Sequence, residues 1–331
     1  MKILLLEYVT GGGMRQEAIP PSLGLEGGRM RQALACDLLA PSASLPGVEL
    51  IILHDDRLPP PRLDGPVHVV AIGADDPFQA IWREWLGCCD AAWPIAPETG
   101  GILARLCLDA ETAGIPLLTS PSSAVHLAAS KLATARHLAL SGLLVAHTLP
   151  LSAWTPQTGQ PFVVKPDDGA GCEGARIIRD PAQFQPPSSM QGWIAQPLLE
   201  GEPLSLSALF AHGQARLLSC NRQRIVQAGD GFKLKGCQVN AIADVDGRWQ
   251  ALAAGIARAL PGLWGYAGID LILGADGPVI LEINPRLTTS YAGLRQAIGE
   301  NPAAWVLDLW QTGQLPGLRS HTGLAVDVFL E

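Results

Sequence analysis

The sequence has no concentrated run of lysine or arginine, no CxxC spacing and no Cys/His cluster. It also has no uninterrupted apolar stretch near the roughly 20 residues that cross a bilayer. Each absence removes a class of function. Neutralising nucleic-acid phosphates needs basic side chains gathered on one surface. The formal net charge is -8, so the expected partners are small molecules, not nucleic acid or a membrane. Structural zinc needs thiol or imidazole ligands at short fixed spacings; the seven cysteines, with Cys88 and Cys89 adjacent, read as reduced thiols. The first apolar run, Ile3 to Leu6, meets Glu7 before a signal-peptide core forms. It reads as a β-strand, and the protein is expected in the cytoplasm. No GxxxxGK[ST] string occurs, which excludes a P-loop. No internal repeat is found, and a homodimer is left open.

What is present is a chain of 331 residues, 48% apolar, long enough for two or three packed units. From residue 1 to 121, short apolar runs at Ile3 to Tyr8, Val48 to His54, Val67 to Ile72, Ala91 to Ile95 and Pro116 to Thr119 alternate with helical patterns. Those patterns cover Leu25 to Ala40 and Thr99 to Ala113. Strands alternating with helices predict a doubly wound parallel sheet. Residues 122–196 read as a small α+β unit: a helix over Lys131 to Leu140, then β runs at Phe162 to Lys165, Ala175 to Arg179 and Trp193 to Gln196. Residues 197–331 read as a mainly antiparallel unit with β runs at Leu204 to Phe210, Ala215 to Ser219, Gly268 to Leu273 and Val279 to Asn284. Helices are predicted near Tyr291 to Ile298 and Ala303 to Thr312.

The most informative segment is GIDLILGADGPVILEINPR, Gly268 to Arg286. Two alternating runs flank a Gly-Ala-Asp-Gly-Pro turn, a hairpin signal. A turn centred near Asp276 sets Asp270 opposite Glu282, and period-two alternation adds Asn284 to that face. Leu271, Leu273, Leu281 and Ile283 then face a core. Directly opposed carboxylates repel, so something must compensate. A hard divalent cation, held by one or two carboxylates plus substrate phosphates, is one answer; a solvent-facing polar hairpin is the alternative.

Phe162 to Lys165 reads as a strand ending in lysine, followed by PDDGAGCEG. Gly169, Gly171 and Gly174 satisfy GxGxxG, which raises a Rossmann turn and an NAD-dependent dehydrogenase. That turn requires a helix next, whereas Ala175 to Arg179 is short and β-like. A glycine flap between two strands, bringing backbone N–H groups close to phosphates with Lys165 as a point charge, fits the string better than a Rossmann turn; an ordinary surface hairpin with an exposed lysine is the alternative. Gln196, Pro197, Leu198 and Leu199 lead into Glu200-Gly201-Glu202 as a hinge able to offer backbone groups to an adenine edge, or as a plain linker.

The order of these features resembles the ATP-grasp superfamily: Lys131, a strand lysine with a glycine flap, a hinge, then Asp270 and the Glu282-x-Asn284 pair. The resemblance covers roughly Ser130 to Arg286 and implies an ATP-grasp fold, with an N-terminal α/β domain, a lid subdomain and a C-terminal antiparallel subdomain. It implies that Lys131, Lys165 and the Gly169 and Gly171 flap contact ATP phosphates. It further implies that Gln196 and the Leu198 backbone hold adenine, and that Asp270, Glu282 and Asn284 bind Mg2+, with Mn2+ as the alternative. Relatives carry a ribose-binding glutamate where this chain has Pro203, so Glu202 beside it stands in. Lys233 and Lys235, in a Gly-rich stretch between β runs, are candidates to reach the γ-phosphate, with ordinary exposed loop lysines as the alternative.

More narrowly, EYVTGGG at Glu7 to Gly13, Asn221-Arg222-Gln223 and EINPRLTTSY at Glu282 to Tyr291 resemble the tyramine-glutamate ligase group of methanofuran and methylofuran biosynthesis. The resemblance implies an ADP-forming carboxylate-amine ligase that joins the γ-carboxylate of L-glutamate to tyramine or tyrosine through an acyl phosphate. Arg286, following the hairpin strand at once, would then hold the carboxylate and the later oxyanion, with a structural salt bridge as the alternative; Asn221 and Thr289 would lie near the substrates, or Thr289 would help cap the helix near Tyr291. Glu7 and Thr10 sit just past the carboxyl end of the first strand, where ligands bind open α/β sheets, so the amine or glutamate is expected there, with Gly11 to Gly13 as a flexible turn otherwise. A non-catalytic ATP-binding regulator is the competing class. No general base is evident among the seven histidines.

Overall fold

The structure, a computed structural model, describes residues 1–40, 47–317 and 323–330. The N-terminal sheet contains β1 (Lys2–Glu7), β2 (Glu49–Asp55), β3 (Val67–Ile72) and β4 (Ala91–Ile95). All pairs are parallel, in the order β3-β2-β1-β4. The run Ile3 to Leu6 is apolar throughout because a parallel strand buries both faces. Ile3 and Leu5 join one core with Met30, Leu34 and Leu38 of α1 (Pro21–Leu39). Leu4 and Leu6 join another with Phe78, Trp82 and Leu86 of α2 (Phe78–Leu86) and Leu103 and Leu106 of α3 (Ile102–Thr112). Strand order reverses between β1 and β4, the place where open α/β sheets bind ligands.

Helices α4 (Ser122–Ala129) and α5 (Lys131–Leu140) lead into a four-stranded antiparallel lid: β5 (Leu149–Pro150), β6 (Phe162–Pro166), β7 (Arg176–Ile178) and β8 (Trp193–Pro197), ordered β5-β8-β6-β7. Phe162, Val164, Ile178 and Ala195 form its small core, so alternation sends Lys165 and Gln196 to the opposite face.

The third sheet runs β13-β12-β9-β10-β11-β14 and is antiparallel. Its members are β9 (Glu202–Ala211), β10 (Gln214–Ala228), β11 (Gly231–Ile242), then, after α6 (Arg248–Ala259), β12 (Gly265–Gly274) and β13 (Gly277–Asn284). Helices α7 (Tyr291–Ile298) and α8 (Pro302–Thr312) precede β14 (Val326–Phe329). One face of this sheet packs Leu204, Leu206, Ala208, Ile269, Leu271 and Ile283 against α4, α5 and α6. On the other face α7 and α8 share a core with α1, which is thereby wedged between the first and third sheets. The Asp37 carboxylate of α1 accepts Tyr291 Oη–H at 2.9 Å and pairs with Arg295 at 3.1 Å.

The structure corrects several expectations. Pro116 to Thr119 is no strand, only a bridge from Leu117 to Ala92. Helices α2, α4 and α6 and strands β11 and β14 were not expected. Ala215 to Ser219 is one part of the fifteen-residue β10, and the Gly-rich stretch holding Lys233 and Lys235 is itself β11. The glycine string is followed by a strand, β7, so the helix a Rossmann turn needs is missing and the dehydrogenase reading falls.

Contact between α1 and β1 depends on Gly27. A Cβ there would stand 2.3 Å from Glu7 Oε2, well inside van der Waals contact. Gly27→Ala is therefore expected to destabilise the fold by about 1–3 kcal/mol through overpacking, read as a lower denaturation midpoint. An unchanged midpoint would mean that α1 does not rest on Glu7.

Candidate active site

The carboxylate hairpin forms in the expected register: Asp270 lies opposite Glu282, and Gly268 opposite Asn284. A bulge between Asp270 and Leu271 shifts the pairing, so Leu271 faces Ile280. Ile280, not Leu281, therefore enters the core beside Leu271 and Ile283. Asn284 Nδ2–H donates to Asp270 Oδ2 at 3.1 Å. From β10, Gln223 Nε2–H donates to Asp270 Oδ1 at 2.8 Å. Gln223, which sequence reasoning did not name as a site residue, shares strand parity with Asn221, and that was the signal available.

Two lysines converge on this pair. Lys131, at the start of α5, is buried and places Nζ 3.1 Å from Glu282 Oε2; it also donates to the Gly169 carbonyl. Ser130 Oγ caps α5 by accepting from Ala133 N–H. Asp167, the first residue after β6, adds its carboxylate, accepting Leu132 N–H at 2.8 Å and Ser130 Oγ–H at 2.6 Å. The glycine loop is thereby tied to the helix that carries Lys131. Lys165 comes from the lid. Burial lowers its pKa, the Glu282 charge opposes that, and the Lys131 charge adds to it. Burial alone would raise the Glu282 carboxyl, but the charges of Lys131 and Lys165 bring it below its ordinary value. Asp270 has no lysine of its own, and burial with the neighbouring Glu282 charge pushes it up to about 7.

That imbalance tests whether a cation suits the site. The half-buried Asp270 carboxylate, the buried Glu282 carboxylate beside it and one amide are hard oxygen donors carrying more negative charge than the protein offsets at Asp270. They leave the other coordination positions to phosphates and water, the magnesium pattern. Among the described residues no group of three His, Cys, Asp or Glu side chains could hold a metal, so the softer zinc arrangement is not built. The donor set fits a hard divalent cation.

Arg286 leaves the end of β13 and meets a partner absent from the sequence reading. Its Nε–H and Nη2–H donate to Glu98 Oε1 at 3.0 Å and Oε2 at 2.9 Å, and Nη1–H reaches the Leu287 carbonyl at 3.1 Å. Glu98 stands just past β4, at the reversal of strand order. The guanidinium retains one hydrogen each on Nη1 and Nη2 for other acceptors. Thr289 is buried and donates its hydroxyl to Glu26 of α1.

The remaining expected residues are placed as follows. Gln196 is buried on the lid's inner face and donates to Thr148 Oγ at 2.8 Å. Leu198 gives its N–H to the Pro161 carbonyl at 3.0 Å, so only its carbonyl could face an adenine. Glu202 pairs with Arg222. Gly171 adopts φ +61° in the loop. Asn221 is 0% exposed: it donates to Ser207 Oγ at 3.1 Å and accepts from Asn240 N–H at 3.0 Å. Ser207 links onward to Tyr266, so Asn221 belongs to a sealed hydroxyl network and not to a substrate surface. Glu7 and Thr10 are likewise buried. The Glu7 carboxylate accepts Thr10 Oγ–H at 2.6 Å, Thr10 N–H at 2.8 Å and Val9 N–H at 3.1 Å, and so folds its own loop. Burial raises its pKa above the ordinary value. Two open hollows, of about 440 Å³ beside Trp264 and about 320 Å³ beside Arg216, lie apart from Lys131, Lys165, Asp270 and Glu282.

The chain is similar to several known proteins. Residues 128–290 match the model of the ATP-grasp domain and residues 48–125 that of a pre ATP-grasp domain. Tyramine–L-glutamate ligase of Methanocaldococcus jannaschii is 31% identical over 208 residues, 62% of this chain and 58% of that protein. Its namesake from Methanocaldococcus fervens is 29% identical over 297 residues, 88% of this chain and 89% of that protein. An ATP-grasp superfamily protein from Archaeoglobus fulgidus superposes with a TM-score of 0.69 at 24% identity, covering 93% of this chain and 88% of that one. With the lid, the carboxylate hairpin and both lysines in place, the chain has the ATP-grasp fold, its residues 128–290 similar to the ATP-grasp domain and its residues 48–125 to the pre ATP-grasp domain.

Proposed function

We propose that this protein is an ATP-dependent, ADP-forming ligase that joins a carboxylate to an amine, and that its substrates are L-glutamate, through the γ-carboxyl, and tyramine or tyrosine. The observation that carries the reading is the meeting of Lys131, Lys165 and the Asp270–Glu282 pair beneath a glycine loop. The names of the two relatives support the choice of substrates, and the resemblance carried by Glu7 to Gly13 and Glu282 to Tyr291 supports a place in methanofuran-type cofactor synthesis.

In this reading a carboxylate oxygen attacks the γ-phosphorus, the bond to ADP breaks, and an acyl phosphate forms. The amine then attacks the carbonyl carbon and phosphate leaves. Phosphoryl transfer asks the protein mainly for positioning and charge neutralisation. Lys131 and Lys165 supply positive charge from two sides, and the N–H groups of the Gly169 to Gly171 loop approach phosphate oxygens closely. Gln196 and the Leu198 carbonyl flank the adenine. Asp270, Glu282 and Asn284 would hold Mg2+ or Mn2+, which when bound neutralises the nucleotide's outer phosphates. Arg286, oriented by Glu98, turns its two remaining hydrogens to the carboxylate and then to the oxyanion. The working division is 1–121 for the N-terminal domain, 122–196 for the lid and 197–331 for the metal and substrate subdomain, with the reaction in the cytoplasm. No helix among the described residues is long and apolar enough to cross a membrane.

A screen of amino acids and amines for ADP release, with mass analysis of products, tests the proposal. Glutamate with tyramine or tyrosine should raise ADP release and yield a product equal to their sum less water. ATP binding without ADP release for any pair would instead support a nucleotide-binding regulator.

A further inference from the structure

Amide formation from an amine that arrives as an ammonium needs a group to take a proton before the nitrogen can attack. Most acids around the site are already committed. Asp270 and Glu282 hold amide hydrogens and Lys131. Glu98 is bound at both oxygens by Arg286, and Glu7 at both oxygens by its own loop. Asp167 caps α5, Asp37 holds Tyr291 and Arg295, and Asp168 accepts Gly100 N–H.

Glu26 differs. It projects from the first half of α1, half-buried, onto the loop that follows Arg286, where it accepts the hydroxyl of Thr289. That partner is neutral, and among the described residues no cation forms an ion pair with Glu26. Its charge is felt on three sides. It helps keep Arg286 protonated. Burial first, and Glu26 next, push the Cys237 thiol of β11 up to about 12. It adds to burial and to the charges of Glu282 and Asp270 at Cys172 in the glycine loop. Thr289 thus holds Glu26 beside the loop that follows Arg286, and Cys172 of the flap and Cys237 of β11 lie near enough to feel its charge.

We propose that the Glu26 carboxylate receives the ammonium of the amine substrate and accepts its proton as the nitrogen attacks the activated carbonyl carbon; this rests on the ligase reading above. The nitrogen passes one proton to Glu26, its lone pair forms the C–N bond, and the carbonyl π pair moves onto oxygen beside Arg286. Collapse restores the C=O bond and breaks the C–O bond to phosphate, which leaves with the bonding pair and takes the second nitrogen proton. Glu26 then returns its proton to solvent.

The test compares two nucleophiles on purified full-length protein with ATP, magnesium and glutamate. Hydroxylamine is uncharged at neutral pH and captures an acyl phosphate as a hydroxamate without an ammonium site or a proton acceptor. Tyramine needs both. Glu26→Gln keeps the size of the side chain and its acceptor for Thr289. It should leave hydroxamate formation at the wild-type rate while kcat/KM for tyramine falls by about 10²–10⁴, and Glu26→Asp should recover part of the loss. Full amide turnover in Glu26→Gln overturns the assignment. So does an equal loss with both nucleophiles, which marks Glu26 as merely structural. If the wild-type protein forms no hydroxamate from glutamate, the ligase reading itself fails and the assignment falls with it.

Discussion

Glu282→Gln is expected to lower ADP release with every carboxylate and amine by on the order of 10³-fold, while the protein melts close to the wild-type temperature. The two halves of that result have separate causes. Turnover is lost because the substitution removes one of two charged oxygen donors and the charge that holds Lys131 and Lys165 in place. Folding is spared because two opposing contributions leave together. The attraction between Glu282 and Lys131, 3.1 Å apart, disappears. So does the repulsion that pushes Asp270 up to about 7. Glutamine preserves the shape and can still accept a hydrogen bond from Lys131. Asp270→Asn should also abolish turnover, but with a gain in stability, since it removes the unpaired member of the repelling pair and leaves the lysine-bound one. A coupled assay for ADP alongside thermal melting reads all of this. Full turnover in Glu282→Gln would end the cation assignment.

How much of this was legible in the sequence follows from what a local pattern can carry. Turn chemistry and period-two alternation located Asp270 opposite Glu282, because both are set within one hairpin. The bulge that exchanges Leu281 for Ile280 leaves no such mark. The alternation of strands and helices gave the parallel sheet, and its strand-end rule directed attention to Glu7 and Thr10. What it could not give was that these two groups satisfy each other. The resemblance named Asn221 but could not give its depth, and Gln223, two residues on, is the one that reaches Asp270. Pairs made across the chain were invisible. Glu98 is 188 residues from Arg286, and Glu26 is 263 residues from Thr289. Neither acid sits in a local pattern that names its partner; each becomes meaningful only once α1 and the end of β4 are packed against β13. β14 was unreadable for a related reason, since among the described residues it pairs with β11, itself unexpected.

Arg286 and Glu98 carry the second large effect, and here stability and turnover are expected to separate in the opposite way. Both side chains are nearly excluded from water, 12% and 6% exposed, and they are joined by two parallel hydrogen bonds. Removing one partner of a buried pair strands the other, at a cost of about 3–5 kcal/mol. Arg286→Met should therefore lower the denaturation midpoint sharply, and Glu98→Gln should do much the same. Replacing both removes the stranded charge along with the bond, so Glu98→Gln/Arg286→Met should recover most of the lost stability. It should not recover turnover, because no fork of N–H groups remains to meet the carboxylate or the oxyanion. Arg286→Lys is the sharper probe of chemistry. It keeps the charge against Glu98 yet loses the planar fork, so it should melt nearer to wild type than Arg286→Met while kcat falls by about 10²–10³. If the double variant turned over at the wild-type rate, Arg286 would be no more than a clamp between the N-terminal sheet and the carboxylate hairpin. The oxyanion would then have to be met by some other donor.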